Sequence, residues 1–176
     1  MTFAPLAAAL LLAAAPLAQA APVPDTTAGW LARMGDFSEN TLPARAPENF
    51  VGFLHAATEP AFHQARFSNL SEPAWWNTAA HTMASPGVVG NLGAVANPQT
   101  AMAWMQAMMD PRFYAAVATV LGDPAKWARW SMASTAPESY QPFAKPFDPA
   151  LQARWQAQMQ APAAWPMAAP AAAAPQ

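Results

Sequence analysis

The chain has 176 residues, a formal net charge of −2 and a sequence pI near 5.8; 54% of its residues are apolar and only 10% are charged. Without a basic stripe it offers nothing to a nucleic acid, and without cysteine it holds no disulfide, thiolate metal site or covalent c-type haem. Globular domains usually carry about 25% charged residues, so this chain either has an unusually apolar exterior or covers it against a partner.

Met1–Ala20 contains no charged side chain. Leu6–Leu17 forms a short apolar run, and Ala18-Gln19-Ala20 is an A-x-A pattern before Ala21-Pro22. Residues 1–20 therefore read as a secretory signal peptide, although without the usual Lys or Arg at its start. Periplasmic or secreted localisation follows as an expectation, and no other stretch reads as a transmembrane helix. Residues 21–46 form an N-terminal segment with one helix. Asp25-Thr26-Thr27 caps it, it runs to about Gly35 with Trp30, Leu31 and Met34 on one side, and Phe37–Ala46 follows as a loop.

Beyond Pro47 the punctuation is regular: Glu59-Pro60, Glu72-Pro73, Asn97-Pro98, Asp110-Pro111, Asp123-Pro124 and Asp148-Pro149. An acidic or amide side chain before a helix accepts its orphan N–H groups and suits its positive end. Proline at the first helical position loses no hydrogen bond. Each pair thus stops one helix and starts the next, and such short helices are marginal unless they pack on one another.

The pattern also repeats. Laid on residues 98–137, residues 47–86 match at ten of forty positions without a gap. The matches fall on pattern-forming residues, among them Pro60/Pro111, Phe62/Phe113, Leu70/Leu121, Pro73/Pro124 and Trp76/Trp127. This predicts a tandem duplication of a three-helix unit. The segment 87–97, glycine-rich and apolar, reads as the linker between copies. In 138–160, Asp148-Pro149-Ala150 and Ala153-Arg154-Trp155 echo Asp123-Pro124-Ala125 and Ala128-Arg129-Trp130, which predicts a C-terminal capping helix. Residues 161–176 are Ala/Pro low complexity, expected to be disordered. The predicted fold is all-α, a bundle or short array of about eight short helices.

No phosphate loop, dinucleotide fingerprint, zincin motif or nucleophile elbow is present, so the expectation is a protein without enzymatic activity. His55, His63 and His81 lie on three successive helices and could converge on copper or another metal; hydrogen-bonded or exposed histidines are the commoner arrangement. Met102, Met105, Met108 and Met109 crowd one helix, as core filler, as soft copper ligands or as an adaptable apolar groove. Tryptophans 75, 76, 104, 127, 130 and 155 exceed what a small core can swallow and suit an interface. From Pro73 to Met109 there is no Asp, Glu, Lys or Arg, so the helix Pro98–Met109 is apolar nearly all round and must be buried or covered by a partner.

The stretch from Asn97-Pro98-Gln99 through Met109-Asp110-Pro111 resembles, over some forty residues, the client-binding modules of chaperone adaptors. That resemblance implies a cradle for an apolar segment; the export signal departs from those cytosolic families. The sequence-level expectation is an exported accessory or adaptor protein. It would bind an apolar protein helix, a membrane-complex subunit or a lipid-like ligand through Met102, Trp104, Met105, Met109, Phe113, Trp127 and Trp130. Peripheral membrane contact and self-association both stay open.

Overall fold

The computed structural model describes Pro24 and residues 26–161; the predicted signal peptide and most of the Ala/Pro tail lie outside them. Of the described residues 84% are helical and none is in a strand, an all-α array. The α-helices are α1 (Thr27–Gly35), α2 (Leu42–Arg45), α3 (Pro47–Ala57), α4 (Pro60–Ser71), α5 (Pro73–Met83), α6 (Gly87–Ala96), α7 (Pro98–Met109), α8 (Pro111–Leu121), α9 (Pro124–Thr135), α10 (Gln141–Ala144) and α11 (Pro149–Gln160). Two 3-10 turns, Pro137–Tyr140 and Lys145–Phe147, flank α10.

Prolines at 47, 60, 73, 86, 98, 111, 124, 137 and 149 set this rhythm, with successive starts 12 or 13 residues apart. The offset of 51 carries α3, α4 and α5 onto α7, α8 and α9. It also places the glycine-bearing segment expected as a linker in the same rhythm, and that segment is a helix, α6. The expected loop at 37–46 likewise contains the single turn α2, with Pro43 in its first turn.

The caps divide by side-chain length. Asn97, Asp110, Asp123 and Asp148 each accept a hydrogen bond at Oδ1 from the backbone N–H two residues on, at 2.8–2.9 Å. Thr26 caps α1 through Gly29 N at 3.1 Å. Glu59 and Glu72 precede α4 and α5 but make no such bond. Their extra methylene carries the carboxylate past the first-turn N–H groups, leaving it free for other partners.

A second device closes the corners. After six of the helix-starting prolines, the residue three positions on donates to the carbonyl six residues back, near the end of the preceding helix or turn. His63 Nε2 pairs with Ala57 O at 2.8 Å, Trp76 Nε1 donates to Leu70 O at 2.9 Å, Tyr114 Oη to Met108 O at 2.9 Å, Trp127 Nε1 to Leu121 O at 3.1 Å, and Tyr140 Oη to Ser134 O at 2.6 Å. Gln152 reaches Pro146 O at 3.5 Å, the long limit of such a bond. A helix end leaves carbonyls without intrahelical partners; here the next helix supplies one.

α3, α4 and α5 form a platform. α1 packs against all three and buries Trp30 and Leu31 in a core with Leu42, Ala56 and Phe62. The later helices dock elsewhere on the platform: α7 and α8 on α3, α9 and α10 on α4, α11 on α5. α6 packs against α2, α5 and α7. Gly90 and Gly93 lie in the interior of α6 with open space where a Cβ would stand, and neither has positive φ. Gly90→Ala and Gly93→Ala should therefore each stabilise the chain by about 0.5–1 kcal/mol in denaturant unfolding; no gain from either would mean that this segment is not helical in solution.

Candidate interaction surface

Two stations hold the later helices to the platform, and both use the glutamates that do not cap. At the α3–α4 corner, Arg129 of α9 forks onto Glu59, with Nε to Oε2 at 2.7 Å and Nη2 to Oε1 at 2.6 Å. Beside it Trp130 Nε1 donates to Thr58 O at 2.8 Å. Lys126, only 3% exposed, donates to Thr58 Oγ1 at 2.6 Å and His55 O at 3.0 Å, with Glu59 Oε1 at 3.8 Å. At the α4–α5 corner, Arg154 of α11 forks onto Glu72 at 3.1 and 3.3 Å, and Trp155 Nε1 donates to Ser71 O at 2.8 Å. Leu151, buried, takes the place of Lys126 on this helix. The cation comes instead from Lys145, 2.8 Å from Glu72 Oε1 and 2.7 Å from Ser68 Oγ.

A third, uncharged contact of this kind joins α7 to the α2–α3 corner, where Trp104 Nε1 donates to Ala44 O at 2.7 Å. Trp104 also packs edge-on against Phe50 and Phe113. Of the residues expected to line one groove, Trp104, Phe113 and Trp130 are thus engaged in holding helices together, and Trp130 lies at a different corner from the other two. Trp127, 66% exposed, covers the α8–α9 corner.

The methionines behave differently. No residue of α7 is buried. Met102, Met105 and Met108 are each more than half exposed, and Met109 is 85% exposed. The half-buried face of α7 is made by Thr100, Ala103, Trp104 and Ala107; Met102, Met105 and Met109, at i, i+3 and i+7, lie away from it on one stripe. On α6, Val89 and Leu92 are exposed as well. Among the described residues, α7 and the outer side of α6, the later part of the charge-free middle, are therefore not enclosed by other helices.

The three histidines do not come together. His63 is held at its corner by Ala57 O and stacks obliquely on Trp130, with ring centroids 5.4 Å apart; His55 and His81 are exposed on α3 and α5. Among the described residues no three His, Asp or Glu side chains gather as a metal site would require. Tyr114, 51 residues on from His63, makes the same corner bond, which accounts for the position without any metal.

Sequence reasoning missed Asn91. It is 3% exposed in the middle of α6, and its Nδ2 donates to Phe37 O and Asn40 Oδ1, each at 2.7 Å. Its Oδ1 accepts from Arg45 Nη2 at 2.7 Å, Thr41 N at 3.3 Å and Thr41 Oγ1. The available signal was one amide residue in an otherwise apolar run; a buried amide needs this many partners, and here α2 and the turn before it supply them. This bond set turns the inner side of α6 toward α2 and leaves Val89 and Leu92 outward.

Comparisons with protein-family models, with curated proteins and with solved structures gave no match for this chain.

The stations carry a pH dependence. The hydrogen bond from Arg129 holds Glu59 below the ordinary glutamate value of 4.5 against the opposing effect of burial, and the hydrogen bond from Lys145 does the same for Glu72. The same bond raises Arg129, while burial pushes Lys126 down despite the pull of Glu59. A carboxylate that ionises more readily when folded stabilises the fold above its unfolded value and loses that contribution as pH falls through its folded value. Melting temperature should fall as pH drops below about 4.5, and less steeply in a Glu59→Gln/Glu72→Gln double variant; equal slopes would show that the pairs are not formed in solution. On the α7 face, Met105→Glu and Met109→Glu should each change unfolding free energy by no more than about 0.5 kcal/mol while reducing binding of an apolar dye. Unfolding by either would show that the methionines are enclosed.

Proposed function

We propose that this chain is an exported, non-enzymatic accessory protein of the periplasm or cell exterior, and that it engages an apolar helix of a protein partner through the exposed face of α7. The observation that carries the reading is the exposure of Met102, Met105, Met108 and Met109 on a helix without one buried residue. Large apolar side chains gathered on one exposed face mark interaction sites. Methionine suits the task because its unbranched, polarizable chain re-packs against varied apolar shapes.

The charge pattern favours a protein partner over a lipid surface. Basic residues near a membrane each gain about 1 kcal/mol from anionic lipid, and residues 73–109 contain none. Trp104 and Phe113 would support α7 from behind and make no direct contact with the partner. Trp127 and Trp130 belong to the α9 side of the array.

Affinity capture from the native envelope tests this, comparing the tagged chain with a Met102→Gln/Met105→Gln/Met109→Gln variant. The native chain should retain a membrane-complex or secreted protein that the variant loses while keeping its helical content and melting temperature. Equal recovery by both, or recovery of nothing by the native chain, would contradict the reading.

A further inference from the structure

The methionines of α7 carry a chemistry of their own. Four thioether sulfurs lie on one helix of 12 residues, each on a side chain more than half exposed. The chain has no cysteine, so no thiol competes with them for an oxidant. Met34 supplies the internal contrast: it is half-buried and packs against the core of Trp30, Leu31, Leu42, Ala56 and Phe62.

Nothing that holds α7 in place passes through these sulfurs. The helix is docked by Trp104 Nε1 on Ala44 O and by its half-buried face of Thr100, Ala103, Trp104 and Ala107. Tyr114 closes the next corner on the Met108 carbonyl, a backbone atom. Asn97 and Asp110 cap the starts of α7 and α8. An oxygen added to any of the four sulfurs therefore alters the outer face and leaves these bonds as they are.

We propose that Met102, Met105, Met108 and Met109 form a reversible oxidation site, at which a peroxide turns the α7 face from apolar to polar and releases its partner. The release rests on the reading of α7 as the docking face; the oxidation does not. Each methionine consumes one peroxide. A sulfur lone pair attacks one peroxide oxygen, the O–O bond breaks and an S–O bond forms. Sulfur gives up two electrons, and the other oxygen takes up the proton of the transferred one; hydrogen peroxide thus yields methionine sulfoxide and water. The new S–O oxygen is a hydrogen-bond acceptor, and an apolar helix pressed onto it offers no donor, so docking would strip its water without replacement. A side chain that re-packs against varied apolar shapes becomes polar and chiral. Methionine sulfoxide reductases reverse the change, one for each epimer; the sulfoxide oxygen leaves as water while a dithiol is oxidised to a disulfide.

The full chain treated with hydrogen peroxide tests this, followed by peptide mapping with mass spectrometry, thermal unfolding and binding of an apolar dye. Sulfoxide should accumulate at the four α7 positions while Met34 is still a thioether. Melting temperature should hold, dye binding should fall, and both reductases with a dithiol should restore it. A Met102→Leu/Met105→Leu/Met108→Leu/Met109→Leu variant keeps an apolar face of similar volume without sulfur. It should bind dye equally before and after peroxide, which separates α7 from the exposed Met83, Met132 and Met159. Oxidation of Met34 in step with α7, a loss of melting temperature that the leucine variant does not share, dye binding that survives oxidation of α7, or an equal loss of dye binding in the leucine variant would each overturn the site. In affinity capture, a partner retained by the untreated chain should be lost by the oxidised one; equal retention would overturn the release. Capture of nothing by the untreated chain would contradict the docking reading and the release with it, and mapping, melting and dye binding would then decide the oxidation site on their own.

Discussion

Everything in this array depends on how a helix of about three turns is kept from fraying. Alone in water such a helix is marginal, and its last carbonyls have no internal partner. The solution repeats at each corner where the chemistry permits: a proline begins the next helix, and the side chain three residues later returns a hydrogen to the helix just ended. His63, Trp76, Tyr114, Trp127 and Tyr140 share little except a ring-borne donor at the right reach, and all make that bond. The requirement is for a donor at a position, so histidine, tryptophan and tyrosine all serve. Where the position holds Phe50 or Ala101, the corner is closed by other means. Thr100 donates instead to Ala94 O at 2.8 Å after α6, and Trp104 secures the corner before α3 from a distance.

The stations at Glu59 and Glu72 then hold α9 and α11 on the platform. Each gathers one glutamate, one lysine, one arginine and one tryptophan at a platform corner, the arginine and tryptophan coming from a helix some 70 to 80 residues away in sequence. A forked arginine–carboxylate pair adds direction as well as energy, and the neighbouring indole bond to a backbone carbonyl fixes how the incoming helix lies. With so few charges in the chain, these stations and the Arg33–Glu39–Arg45 group use many of them. The α6–α7 region receives none, and its exposed surface is left to methionine, valine and leucine.

Local chemistry was legible in the sequence and remote pairing was not. The Asp-Pro and Asn-Pro pairs announce helix starts because cap and proline act within three residues of each other. The same reading takes Glu59 and Glu72 as caps along with the others, since nothing in their neighbourhood reveals that Arg129 and Arg154 will meet them. α6 escaped notice because its first four residues, Gly87-Val88-Val89-Gly90, are all glycine or valine; one buried bond set at Asn91 and the twelve-to-thirteen-residue rhythm outweigh that poor propensity. The tryptophans were too many for a core, and most of them turn out to use their indole N–H on backbone carbonyls at corners. The histidines looked like potential ligands only while the corner bond of His63 was unseen.

The account stands most directly on the indole protons of Trp130 and Trp155. Native-state hydrogen exchange followed by NMR should find both strongly protected, opening only together with the backbone amides of α9 and α11, as expected where a docking bond and its helix form one cooperative unit. Exchange at the rate of a freely exposed indole, with α9 and α11 amides still protected, would contradict it: the helices would then be held by something other than these stations.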